Sequence, residues 1–105
     1  MNNLLPTEAV QVKDGKLVTT SLVVAKVFGK EHKNVLRDVE ALDCSDKFRK
    51  LNFEPTFRNV PGPNNSIRQE RYFEVTRDGF TFLARAIVAK NLRNQLNTWI
   101  KLYDY

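Results

Sequence analysis

A chain of 105 residues with 17 Lys and Arg against 12 Asp and Glu carries a formal net charge of +5, which favours an anionic partner such as nucleic acid without requiring one. Its 42% hydrophobic content, with seven Phe, three Tyr and one Trp, suffices for one modest core and argues against disorder of the whole chain. A lone Cys excludes an internal disulfide, a lone His excludes a histidine-rich metal site, and no apolar run approaches the roughly 18 residues of a membrane span.

The opening residues MNNLLPTEAVQV have neither a basic region nor a long apolar one. A signal peptide is therefore not expected, and the chain reads as cytoplasmic. Residues 1–8 are expected to be a flexible tail ahead of one domain over 9–105. In AVQVKDGKLVT, Asp14-Gly15 falls between alternating apolar residues, the strongest short signal for a β-hairpin, because both turn positions need positive φ.

Thr19, Thr20 and Ser21 then offer helix N-caps, and Gly29 offers a left-handed stop. The three Val of LVVAKVF favour a strand intrinsically. The capped start, the Gly stop and the spacing of Leu22, Ala25 and Phe28 decide for a helix. A second helix is expected from His32 to Leu42, where Val35, Leu36, Val39 and Leu42 form one apolar stripe. Lys33, Asn34, Arg37, Asp38, Glu40 and Ala41 face elsewhere. Ser45 caps a further turn through Phe48.

Leu51, Phe53 and Phe57 alternate around Pro55, which confines any strand there to a sheet edge, since Pro donates no ladder hydrogen bond. VPGPNNS reads as loop. RQERYFEVT alternates again, Phe73 and Val75 against Tyr72 and Glu74, giving a second, basic hairpin. Thr76 caps a last helical region with Asp78 in its first turn. Phe80, Leu83, Ala84 and Ile87 make one stripe in it; Leu92, Leu96, Trp99, Ile100 and Tyr103 make another. Gly79 is expected to weaken its start and Asn91 to mark a bend. If 92–105 extends as a helix past the domain, a homodimer through that second stripe is one outcome, and packing back on the domain is the other.

The order predicts an α+β fold: a winged helix-turn-helix-like single domain with an N-terminal β-hairpin, two short helices, a basic β-hairpin and a C-terminal helical region. In such a fold the second helix enters the major groove. Lys33, Asn34 and Arg37 are then the candidates for base contact, since Asn suits adenine and Arg suits guanine. Lys30, His32, Arg68 and Arg71 are candidates for phosphates. Arg58 flanks the hairpin loop together with Arg68 and Arg71, a pattern suited to a minor groove or a phosphate backbone. The alternative is a solvated face, with Lys33 and Arg37 paired to Asp38, Glu40 or a distant acid.

Catalysis is poorly served. Cys44 follows Asp43 at a helix end, where the helix dipole disfavours a thiolate. Asp38, Glu40, Asp43 and Asp46 are spaced around a helix instead of on one side, and no Gly-rich phosphate loop occurs. No enzyme activity, metal or cofactor is expected.

TTSLVVAKVFGKEHKNVLRDVEAL, then LNFEP, then YFEVTRDGFTFL, in that order, resembles the Rha family of temperate-phage regulatory proteins from about Val18 to Leu83. The resemblance implies a prophage-encoded regulator acting in the bacterial host cytoplasm, grouped with antirepressor-like proteins, presumed to bind DNA and associated with effects in hosts lacking integration host factor. Its two readings are a regulator that binds double-stranded DNA, and an antirepressor that binds a phage repressor protein without touching DNA. After Leu83 the sequence departs from the family pattern, with ARAIVAK where a Met-Gly-Phe-Thr-Gly-like stretch is usual.

Overall fold

The computed structural model describes residues 10–103, the side chains of Trp99, Ile100, Leu102 and Tyr103 excepted; the expected tail over residues 1–8 lies outside the described residues. Asp14 and Gly15 take φ of 52° and 75°, as a two-residue hairpin turn demands. They join β1 (Gln11–Lys13) to β2 (Lys16–Thr20). Thr20 ends the strand and caps α1 (Ser21–Phe28), its side chain accepting from the Val23 N–H. Gly29, at φ 61°, closes α1. Its N–H donates to the Lys26 carbonyl and the Lys30 N–H to the Ala25 carbonyl, the paired bonds of a Schellman stop.

α2 (His32–Glu40) and α3 (Asp46–Asn52) follow. α2 stops two residues short of the expected Leu42, yet Leu42 is still buried. At that end the Arg49 guanidinium donates to the carbonyls of Val39 and, at 2.7 Å, Leu42. A cation is well placed where a helix leaves its last carbonyls unpaired. Ser45 caps α3 as expected, but α3 runs to Asn52, so three short helices precede the second hairpin where two and a turn were expected.

β3 (Phe53–Pro61) and β4 (Ile67–Thr76) form the long hairpin, joined through a 3-10 turn at Pro63–Asn65. Asn64 and Asn65 both adopt positive φ there, which Asn tolerates better than most residues. The antiparallel sheet has the order β1-β2-β4-β3, so β3 is an edge, as Pro55 requires. Phe53, Phe73 and Val75 turn inward from β3 and β4 and are buried, joined by Val24 from α1 and by Val35 and Val39 from α2. Phe57 shares the side of Phe53 but is exposed, because the hairpin runs on past the body.

α4 (Arg77–Tyr103) starts on the Thr76 cap, whose Oγ1 accepts from the Gly79 N–H at 3.1 Å. The bend expected at Asn91 does not occur; one helix of 27 residues runs through it, with no Pro to remove a hydrogen bond. Gly79 is an interface residue. A Cβ there would lie 2.8 Å from the Asn52 backbone oxygen, so only Gly lets α4 approach the end of α3. Leu83 and Ile87 complete the core, each no more than 1% exposed. Val88, Leu92 and Leu96 lie outside it, all more than half exposed. Ile87 and Leu92 are five residues apart, which places them about 140° apart around the axis. The apolar side of α4 thus changes over where the helix leaves the body.

Candidate nucleic-acid interface

α2 presents its side chains by helical arithmetic. Val35 and Val39, one turn apart, are buried, and this fixes Lys33 and Arg37, also one turn apart, on the exposed side. Asn34 lies beside them and is half-buried. Lys33 Nζ sits 3.4 Å from Glu31 in a pair whose members are both more than two-thirds exposed, a contact water screens almost completely. Arg37 is exposed and forms no ion pair among the described residues.

Of the remaining sequence candidates, all but Arg68 are engaged within the fold. Lys30 Nζ donates to Asp38 at 2.5 Å, with both side chains less than one-fifth exposed. Lys90 of α4 reaches the other Asp38 oxygen at 3.5 Å. One carboxylate therefore ties the α1–α2 turn, α2 and α4 together. In the alternative of a solvated face, Lys33 and Arg37 would pair with Asp38, Glu40 or a distant acid; among the described residues Asp38 and Glu40 are taken by Lys30, Lys90 and Arg71, and Lys33 meets Glu31.

His32 Nε2 lies 2.9 Å from Ser21 Oγ, and that oxygen accepts the Phe73 N–H at 2.9 Å. Ser21 is fully buried. β2 ends one residue earlier, so its hydroxyl supplies the ladder bond that β4 loses where the pairing with Thr20 stops. With the Phe73 N–H accepted, the hydroxyl proton of Ser21 is free to go to a neutral His32. Burial lowers the imidazole pKa below its usual range, against the pull of Glu70 and together with Arg58.

On the hairpin, Arg58 makes a two-pronged contact with Glu70, at 2.7 Å from Nε and 2.5 Å from Nη2. Arg71 lies 5.2 Å from the Phe73 ring centroid and 3.0 Å from Glu40 Oε1, linking β4 to the last turn of α2. Arg68, opposite Val60 near the hairpin tip, is exposed and unpaired among the described residues. Lys33, Arg37 and Arg68 are the sequence candidates with little or nothing to hold them. Sequence reasoning did not assign Ser21, Asp38 or Glu40 the partners they have, because those partners come from other elements.

Among the described residues no three His, Cys, Asp or Glu side chains come together as a metal site would need, and no helix is long and apolar enough to cross a membrane. Cys44 is half-buried against the core.

The sequence profile of the family described as phage regulatory protein Rha matches residues 19–100. The chain belongs to the Rha family of phage regulatory proteins. The match reaches past Leu83 into the far part of α4, so the ARAIVAK stretch does not end the likeness. Among curated relatives, an uncharacterized protein of Haemophilus influenzae is 33% identical over 95 residues, covering 86% of this chain and 51% of its own length. An uncharacterized 22.8 kDa protein of Salmonella phage P22 is 39% identical over 46 residues, covering 44% of this chain and 23% of its own length. The chain thus spans about half or less of the length of these curated relatives. No solved structure gives a significant match.

Proposed function

We propose that this Rha-family protein regulates phage genes by binding double-stranded DNA as a winged helix-turn-helix, with α2 in the major groove and the β3–β4 hairpin as the wing. The observation that carries the reading is the exposure of Lys33 and Arg37 side by side on α2, while Lys30 is held by Asp38 and Arg58 by Glu70. A family of regulators and a net charge of +5 support the same reading. Lys33 and Arg37 would meet the groove, Asn34 a base edge, and Arg68 a phosphate beyond it. His32, Lys30 and Arg71 act by holding α2 against the turn and the wing. The cytoplasm of the bacterial host is where such a regulator would work, without catalysis or cofactor.

The test is fluorescence anisotropy with labelled duplexes, sampled from the phage's own control regions, across a salt series. Lys33→Ala with Arg37→Ala is expected to weaken binding and to lower the log–log salt slope by about 0.9 for each phosphate the two side chains had neutralised. An unchanged affinity and slope rejects α2 as the reading element.

A second reading is that the protein acts as an antirepressor, binding a phage repressor protein. The exposure of Val88, Leu92 and Leu96 along α4 favours it, since contiguous apolar surface commonly marks a protein interface.

A further inference from the structure

Between the end of α2 and the middle of α4 runs an open groove of about 700 Å³. Phe82, Ala86 and Ala89 line it on the α4 side and Ala41 and Leu42 on the α2 side. Arg85, Lys90 and Arg93 line it as well. Its acids are Asp38, already shared by Lys30 and Lys90, and the exposed Asp43. On α4, Leu92 and Leu96 carry the apolar surface on from Ala89, with Arg85 and Arg93 within about one-third of a turn.

From Gly79 to Tyr103 the sequence contains Arg85, Lys90, Arg93 and Lys101 and no Asp or Glu. A second copy laid on this surface would bring the same cations together, and like charge at an interface core is costly. A groove in which apolar side chains alternate with cations suits an amphipathic helix with apolar anchors at i, i+4 and i+7 and carboxylates beside them.

We propose that this groove and the outer stripe of α4 are the docking surface for an acidic amphipathic helix of a partner protein. The proposal takes from the second reading above only the protein partner, and it stands whether or not α2 meets DNA. Apolar anchors would fill the space over Phe82, Ala86 and Ala89 and continue along Leu92 and Leu96, while carboxylates pair with Arg85 and Arg93.

The experiment uses the full chain and a fluorescein-labelled synthetic helix of about 20 residues, Leu at the anchor positions and Glu at the flanks, beside a twin with every Glu replaced by Lys. Binding of the Glu peptide, weakened at least tenfold by Arg85→Glu with Arg93→Glu and by Leu92→Ser with Leu96→Ser, is expected, with the Lys twin inert. Circular dichroism checks that each variant is folded; Val88→Ser, a milder change on the same stripe, serves if one is not. Equal binding of both peptides, or of neither, overturns the proposal. So does sedimentation showing a dimer that Leu92→Ser with Leu96→Ser dissolves, because a second copy then owns the face. Displacement of the Glu peptide by duplex DNA at about 0.15 M salt, which Lys33→Ala with Arg37→Ala does not relieve, would instead assign the groove to nucleic acid. Loss of Glu-peptide binding with duplex binding intact fails this proposal alone, and Glu-peptide binding by a chain that ignores duplex fails the DNA reading alone.

Discussion

Ser21 and His32 stand 2.9 Å apart, one at the first turn of α1 and the other at the first turn of α2, and through the Ser21 oxygen both are tied to the Phe73 amide of β4. The contact joins the helix pair to the hairpin from within, as the exposed Arg71–Glu40 pair does at the surface. It also lodges the single imidazole of the sequence between helix pair and hairpin.

The fold therefore loses stability on the acid side of neutrality. His32 has its pKa lowered by burial, so the folded state prefers the neutral ring. Its contribution is fully present above the usual imidazole value of 6.5 and declines as pH falls through that value towards the lower one of the fold. Urea midpoints measured between about pH 7.5 and about pH 5 should fall more steeply for the native chain than for His32→Gln, which keeps a hydrogen-bonding group but cannot titrate in that window. Parallel slopes would show that His32 is not the group responsible.

Gly79→Ala should destabilise the protein, although Ala is intrinsically the better helix former by about 1 kcal/mol. The added Cβ meets the Asn52 backbone oxygen at 2.8 Å, with Val75 Cγ1 at 3.2 Å behind it. Backbone cannot swing aside as a side chain can, so a net loss of roughly 1–3 kcal/mol is expected. A thermal melt unchanged or raised would mean that α4 slides freely past α3.

Glu40→Gln should alter affinity more than stability. Glu40 and Arg71 are 58% and 39% exposed in their side chains, so the pair contributes under about 1 kcal/mol. Removing a negative charge one turn from Arg37 should raise duplex affinity about threefold at low salt, close to 0.7 kcal/mol. The gain should fade as salt rises. Mobility shifts at two ionic strengths decide it, and an affinity indifferent to the change speaks against α2 facing DNA.

Local grammar carried most of the elements. Asp14-Gly15, Thr20, Gly29, Ser45 and Thr76 each mark a turn or cap through their own backbone and side-chain chemistry, and each works as the sequence suggests. The inward faces of α2 and β4 were legible from period alone. What remained hidden depends on contacts between distant segments. The Arg49 guanidinium meets the end of α2 from ten residues away. Asn52 makes Gly79 a packing necessity where local propensity shows only a weak helix start. The candidate site divides in the same way: composition found its basic residues, but only the pairing of Lys30 with Asp38 and Arg58 with Glu70 separates the cations that hold the fold from those that face solvent.

The changeover of the apolar side along α4 makes that helix two texts written on one rod. A saturation scan of residues 77–98 should show intolerance first in the phase of Leu83 and Ile87, then in a phase displaced by nearly half a turn, through Leu92 and Leu96. The first band would register in protease resistance or soluble yield. The second would be silent there and would surface only in a screen for regulation, so a scan scored on abundance alone would take the outer half of the helix for filler.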